Sequence, residues 1–379
     1  MKRRDFFEVM GKSSAAFGFF VLAGGNRGLF NLHGPEEIYS RAISVDAMCF
    51  TTDDYVPYLD KKRIEDLRTS GITLLSLDVS IGGGPGMGKR EWPVVTHQIA
   101  QWNDFFRKHT DVFLKVYSAD DILQAKKEGK VGIVFNMQDT TPIAQNLHRV
   151  GLFYDLGVRQ IQLSHNQRNF VVDSCWELTN AGLSRFGRRV VEALNEHKIL
   201  IDIAHVGEQS CLDTITLSTA PVLASHTGCH ALCPHPRSKT DRIIKAIADR
   251  GGVICLYNMS GWMSKEPTLS MDIFMRHLKH AVDIAGEDHV GFGTDGDPSA
   301  MSPEKLEWEI DLSQRSFDSD LKDHPQLTWK IRHMRIRELD SPHRLLNLTR
   351  EMAKAGYKER TIEKIIGGNY FRLFKEVAG

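Results

Sequence analysis

Short β-branched runs alternate with stretches of helical period through most of this chain, and no other feature constrains its fold as strongly. The runs are 43–50 (ISVDAMCF), 72–80 (ITLLSLDVS), 131–138, 158–165, 198–205, 221–227, 251–259 and 289–295. Helical stretches at 94–107, 119–128, 186–196, 207–217, 240–249 and 272–284 lie between them. Strands separated by helices pair in parallel through right-handed crossovers. Eight such units predict a closed (β/α)8 barrel of the TIM type, an α/β fold. Reactive side chains then fall at one end of the strands. Gln138, His165, His205, His226 and Asp295 each stand at or near a strand's C-terminal end. In a barrel that end carries the active site. A lone histidine there is more often a packed core residue, but five such residues from five strands predict a single site.

Composition narrows the partners. The 379 residues carry 48 basic and 48 acidic side chains. Without a basic excess there is no electrostatic reason to bind nucleic acid. The six cysteines are scattered, so no disulfide framework is expected, although Cys229 and Cys233 are near enough in sequence to pair.

Residues 1–30 read differently from residues 31–379, which form the expected barrel domain. The stretch "MKRRDFFEVMGKSSAAFGFFVLAGGN" pairs Arg3 with Arg4, then gives Phe6, Phe7 and a modest apolar run. That pattern predicts a twin-arginine export signal and a periplasmic or exported location. An amphipathic helix is the alternative. No A-x-A cleavage site follows, so an uncleaved signal would tether the chain to a membrane. Residues 297–340 form a long, charged, helix-compatible excursion after the last strand, suited to a lid, a homodimer contact or an extra helix. The tail reads as a helix, a Gly-Gly break and a second amphipathic helix.

The pieces "LGVRQIQLSHNQRN", "GLSRFGRRVVEALNEHKILIDIAHVG", "PVLASHTGCHAL", "HPRSKTDRIIKAI", "GFGTDGD", "NLTREM" and "GGNYFRLF" resemble the membrane dipeptidase (renal dipeptidase) family over roughly residues 43–378. The resemblance implies an amidohydrolase-like barrel with two zinc ions that cleaves dipeptides. It implies that His205 and His226 hold the second zinc and that Asp295 belongs to the first. His165 would contact the substrate and stabilise the tetrahedral intermediate. Arg237 would hold the substrate carboxylate. Imidazole nitrogen suits zinc, and a planar guanidinium matches a carboxylate.

The first strand departs from that pattern. The family's Asp-Gly-His-x-Asp is here Asp46-Ala47-Met48-Cys49-Phe50. Met48 and Phe50 replace a histidine and an aspartate ligand, and Gln138 replaces the bridging glutamate. A thioether is a poor zinc ligand, phenylalanine is none, and an amide is weak. The expectation is one zinc ion at His205, His226 and Gln138, with Asp295 freed to act as general base. A metal-free site remains an alternative. So do a barrel repurposed as a lyase, isomerase or tailoring enzyme, and a ligand-binding homologue without catalysis. The expected substrate is a dipeptide or a related small amide bearing a carboxylate. The stretch "SHTGCHALCPHPR" could alternatively hold a separate metal through Cys229, His230, Cys233 and His235, against a pocket-lining loop.

Overall fold

Local signals set the helix ends. Asp60 accepts the Arg63 backbone N–H at 2.8 Å and starts helix Lys61–Ser70, which stops at Gly71 in the left-handed region, φ 74°. Ser118 and Asp121 form a capping box for helix Ala119–Glu128. Ser184 caps helix Arg185–Glu196 through the Gly187 N–H. The computed structural model describes residues 33–51, 59–80, 90–320, 322 and 328–379. The expected export signal lies outside them.

The strands are β1 (Val45–Cys49), β2 (Leu74–Asp78), β3 (Phe113–Lys115), β4 (Val131–Met137), β5 (Val158–Gln162), β6 (Leu200–Asp202), β7 (Leu223–Thr227), β8 (Val253–Leu256) and β9 (Val290–Phe292). All pair in parallel, in the order β1-β2-β4-β5-β6-β7-β8-β9. These are the eight strands read from the sequence. The short β3 is additional and lies against the first residues of β4. The six expected helices are present, the first of them as Trp92–Lys108.

The ring closes between β1 and β9 with few ladder bonds. Asp295 donates its N–H to Met48 O at 2.9 Å, and Phe50 donates to Gly296 O at 2.9 Å. Beneath them Asp46 Oδ1 accepts the Thr294 N–H at 2.7 Å, and its Oδ2 accepts the Thr294 hydroxyl. Arg344 Nη1 reaches Asp46 Oδ2 at 2.9 Å and Thr294 Oγ1 at 2.6 Å. Its Nη2 donates to Asp297 O and Pro298 O at 2.8 and 3.0 Å, and to Ser299 O. Both charged side chains are almost wholly buried.

The tail helix Asn369–Ala378 fills the opposite mouth. Leu373, Phe374 and Val377 pack with Val45, Leu74, Leu200, Leu223 and Val253, which begin or lie near the start of their strands. Tyr370 projects further and donates its hydroxyl to Gln160 Oε1 at 2.9 Å. Gln160 also receives Ser76 Oγ and donates to Asp202 Oδ2 at 3.1 Å, so a polar layer crosses the barrel. The Gly-Gly break has a steric reason: a Cβ on Gly367 would lie 2.2 Å from Ile43 O.

The excursion docks on the loop after β8. It contains helix Pro303–Asp320. Trp329 Nε1 donates to Gly261 O at 3.0 Å, and Ile336 N donates to Asn258 Oδ1 at 3.0 Å. Among the described residues no helix is long and apolar enough to cross a membrane.

Removing one member of a buried ion pair strands the other charge, at a cost of about 3–5 kcal/mol. Arg344→Met should therefore lower the unfolding free energy by about that amount. Urea denaturation checks this, and a loss below about 1 kcal/mol would show that Arg344 does not hold the seam.

Candidate active site

The strand ends bring the histidines together. His205, three residues past β6, and His226 on β7 meet with their Nε2 atoms 2.8 Å apart. The remaining ring nitrogens are also held. His205 Nδ1 lies 2.8 Å from Asn166 Oδ1, and His226 Nδ1 lies 2.7 Å from Ser225 Oγ. An amide oxygen only accepts, so His205 carries its proton on Nδ1 and presents a bare Nε2. His226 then donates from Nε2 and accepts the Ser225 hydroxyl. Burial and the Arg237 charge hold both imidazoles well below the usual histidine pKa, so they are neutral at physiological pH.

His165, past the end of β5, stacks on His205 with ring centroids 4.2 Å apart. Burial and the charges of Arg90 and Arg237 push its pKa down as well. Asp139 positions it. One carboxylate oxygen accepts the His165 N–H at 2.8 Å, while the other accepts Thr141 N and Oγ1, both at 2.6 Å. Asp139 thus organises a loop and is turned away from the histidine pair, as the strand pleat predicts.

Asp295 joins the histidines, with Oδ1 3.9 Å from His226 Nε2. Its φ of 54° is in the left-handed region, uncommon outside glycine but tolerated best by Asp and Asn. The seam holds its N–H, and Arg335 Nη2 holds its carbonyl at 2.5 Å. Arg335 itself is fixed by Glu309 at 2.5 and 2.8 Å. Burial raises the Asp295 pKa to about 6, against the opposing charges of Arg237 and Arg335.

Arg237 has a use that the sequence does not suggest. It is wholly buried and donates Nη1 to Ala204 O at 2.6 Å and Nη2 to His226 O at 3.1 Å. It ties the β6 and β7 loops that carry the two histidines. Its Nε has no partner among the described residues.

The residues at the altered positions are enclosed. Met48 is fully buried, Phe50 is half-buried, and Gln138 is buried with Oε1 unpartnered. His205 and His226 together offer nitrogen donors suited to a metal ion. The two Nε2 atoms face one point, and both Nδ1 atoms have the oxygen partners that orient metal-bound imidazoles. Ser225 Oγ can accept as well as donate, so His226 can also present a bare Nε2. Two imidazoles on a tetrahedral zinc lie roughly 3.3 Å apart, so the 2.8 Å pair would have to open by about half an ångström. Among the described residues no group of three or more His, Cys, Asp or Glu side chains forms a ready cage.

The model of the membrane dipeptidase family, peptidase family M19, matches residues 84–314. The chain belongs to the membrane dipeptidase family. Among curated relatives, dipeptidase tcpJ of Claviceps purpurea is 25% identical over 346 residues, 88% of this chain and 72% of that protein. Among solved structures, an amidohydrolase from Pseudomonas aeruginosa is 27% identical with a TM-score of 0.78, covering 92% of this chain and 100% of that one. A metallo peptidase from Rhodobacter sphaeroides, liganded with a phosphinate mimic of the dipeptide L-Ala-D-Ala, has a TM-score of 0.69 at 20% identity, over 89% and 99% of the chains. The barrel and the enzyme class expected from the sequence stand: this is a hydrolase of the metallodipeptidase type.

Sequence reasoning missed Asn166, Arg335 and Arg90. Only Asn166, beside His165 in the motif, carried a signal. The "SHTGCHALCPHPR" stretch, by contrast, is dispersed. His235 stacks on Trp262 at 4.8 Å, and the Cys229 N–H donates to His277 Nδ1 at 3.0 Å. All six cysteines are free thiols.

His277 gives a pH test. It is buried, donates Nε2–H to Met263 O at 3.0 Å, and burial lowers its pKa from 6.5 to about 4. The unfolded chain takes up this proton near pH 6.5, whereas the folded chain does so only near pH 4. The group therefore costs nothing above pH 6.5. Below that, it removes stability by about 1.4 kcal/mol per pH unit until about pH 4. His277→Gln should flatten that part of the stability profile. An unchanged slope would place the acid sensitivity elsewhere.

Proposed function

We propose that this chain is an exported dipeptidase that works with one metal ion. The observation that carries the reading is the meeting of His205 Nε2 and His226 Nε2 with Asp295 Oδ1 3.9 Å from the second of them. His205 and His226 would hold the ion. Bound there, it would supply Lewis acidity and a more acidic water.

The chain's own groups do the rest. Asp295 Oδ1 stands close enough to the histidine pair to take a proton from a water between them. His165, neutral and stacked on His205, presents an imidazole to the oxyanion that forms as the carbonyl is attacked. Arg237 keeps the two histidine loops in register and places a buried positive charge, with Nε unpartnered, where a substrate carboxylate would be attracted. The substrate class follows from that charge: a dipeptide or a small amide bearing a carboxylate. The relative that binds the L-Ala-D-Ala mimic supports the same class.

A second reading rests on the 2.8 Å Nε2–Nε2 contact. Ser225, His226, His205 and Asn166 form a continuous hydrogen-bond chain in which the two imidazoles can exchange a proton and Asn166 orients His205, and metal-free chemistry on the same barrel would use that pair.

Metal analysis separates the two. The purified protein should bind about one equivalent of zinc, cleave dipeptides, lose turnover to a chelator and regain it with zinc. Failure to bind metal, together with no turnover on any dipeptide, would sink the first reading. Restoring Met48→His, Phe50→Asp and Gln138→Glu should raise the stoichiometry toward two. Export rests on the paired arginines alone. A reporter fused after residue 30 should reach the periplasm, and Arg3→Lys with Arg4→Lys should stop it; unchanged export of the variant would overturn the twin-arginine assignment.

A further inference from the structure

The side of the mouth formed by β2, β4 and β5 carries a polar group that the reaction above does not use. Ser76, Asn136 and Gln160 face the barrel interior, where Asn136 Nδ2 donates to Ser76 Oγ at 2.9 Å and Ser76 Oγ donates to Gln160 Oε1 at 2.9 Å. Strand side chains alternate, so the residues two positions further on share that face. They are Asp78, Gln138 and Gln162, one level nearer the mouth. Hydrogen bonds join them. Asp78 Oδ1 accepts Ser80 N and Oγ at 2.7 and 2.6 Å, Ser80 Oγ accepts Gln138 N at 3.0 Å, and Gln138 O accepts Gln162 Nε2 at 2.8 Å.

Each of the three is at least nine-tenths buried, and each has an oxygen without a partner among the described residues: Asp78 Oδ2, Gln138 Oε1 and Gln162 Oε1. A buried acceptor without a donor is unfavourable. Burial raises the Asp78 pKa and the Arg90 guanidinium opposes that rise, yet among the described residues no hydrogen bond from it reaches Asp78 Oδ2: Nη1 donates to Gln138 O at 3.3 Å and lies 3.9 Å from Asp139, and Nη2 is itself unpartnered. Three acceptor oxygens, one of them anionic, match the three N–H donors of a primary ammonium.

We propose that Asp78, Gln138 and Gln162 bind the α-ammonium group of the substrate. This rests on the dipeptidase reading and deepens it. In the eight-strand ring β2 and β7 stand on opposite sides, with three strands between them either way round. Arg237 follows β7. A free dipeptide, about 7 Å from end to end, would lie across the mouth with its ammonium toward Asp78 and its carboxylate toward Arg237. Its peptide bond would then fall between them, near His205, His226 and Asp295. The arrangement selects free dipeptides and rejects N-acylated ones.

The test uses the zinc-loaded full chain, alanyl-alanine and N-acetyl-alanyl-alanine, with kinetics and calorimetric binding in parallel. The unmodified protein should prefer the free dipeptide by roughly 10- to 100-fold in kcat/KM, the range of one charged hydrogen-bonded contact. Asp78→Asn should erase most of that preference, mainly through KM. Equal cleavage of both compounds by the unmodified protein would overturn the inference while leaving the dipeptidase reading intact. An equal loss on both compounds in Asp78→Asn would also overturn it, by making Asp78 merely structural. Should that variant not fold, the two-substrate comparison on the unmodified protein decides alone. Ammonium-dependent binding without turnover would support the inference and count against the dipeptidase reading.

Discussion

The seam between β1 and β9 is the constraint on which the site depends. β9 is only three residues long, so the backbone ladder alone offers little to close the ring. Asp46 supplies the missing order by accepting two bonds from Thr294 while paired to Arg344. With Asp46 and Thr294 locked, Met48 O meets Asp295 N and Phe50 N meets Gly296 O. The left-handed φ of Asp295 follows from that pairing above and Arg335 behind. A buried ion pair is weak evidence for stability on its own, but this one fixes register. It also explains how the first strand can hold Asp46 while Met48 and Phe50 stand at ligand positions. Asp46 serves the barrel, and its task does not depend on a metal.

The rest of the chain is arranged around the same problem of holding a mouth open and rigid. The tail helix closes the far end with Tyr370, Phe374 and Val377, so the interior polar layer of Ser76, Asn136, Gln160 and Asp202 is sealed from below. The excursion does not simply cover the mouth. It delivers Arg335, held by Glu309, to the backbone carbonyl of Asp295 and packs Phe317 and Trp329 against His235. Chain far from the strands thereby sets the geometry of a strand-end carboxylate.

What the sequence revealed and what it hid divide along physical lines. Strand and helix periods are local, so the eight ring strands and six helices were legible, as were His165, His205, His226 and Asp295, because barrel chemistry gathers at strand ends. β3 was hidden because three residues carry no readable period. Asp78 was hidden inside an apolar run that reads as one strand. Arg335 acts forty residues away from Asp295, and no spacing announces such a contact. Arg237 was read as a carboxylate grip, but two of its donors go to backbone carbonyls, which leave no trace in a sequence. The Cys/His stretch misled in the opposite way: residues close in sequence turn to different partners, and His277, which takes the Cys229 N–H, comes from a helix some fifty residues on.

The proposal of one metal rather than two has an electrostatic basis at the rim. The positions read as histidine, aspartate and glutamate ligands are Met48, Phe50 and Gln138, and none of the three brings a charge. Arg237 and Arg90 remain, and they add to the larger effect of burial in keeping the His165 and His205 imidazoles neutral. Asp295 is the carboxylate beside the histidine pair, and Arg237 and Arg335 already oppose the rise in its pKa. A first dication at His205 and His226 gains two neutral donors and a nearby anion. A second would meet the first ion and Arg237 with no carboxylate at Met48, Phe50 or Gln138 to offset them, and with the β1 carboxylate of Asp46 already paired to Arg344, in surroundings where water screens little. The same positive excess that disfavours a second ion favours an anionic substrate, so the missing ligands and the buried arginine belong to one charge balance.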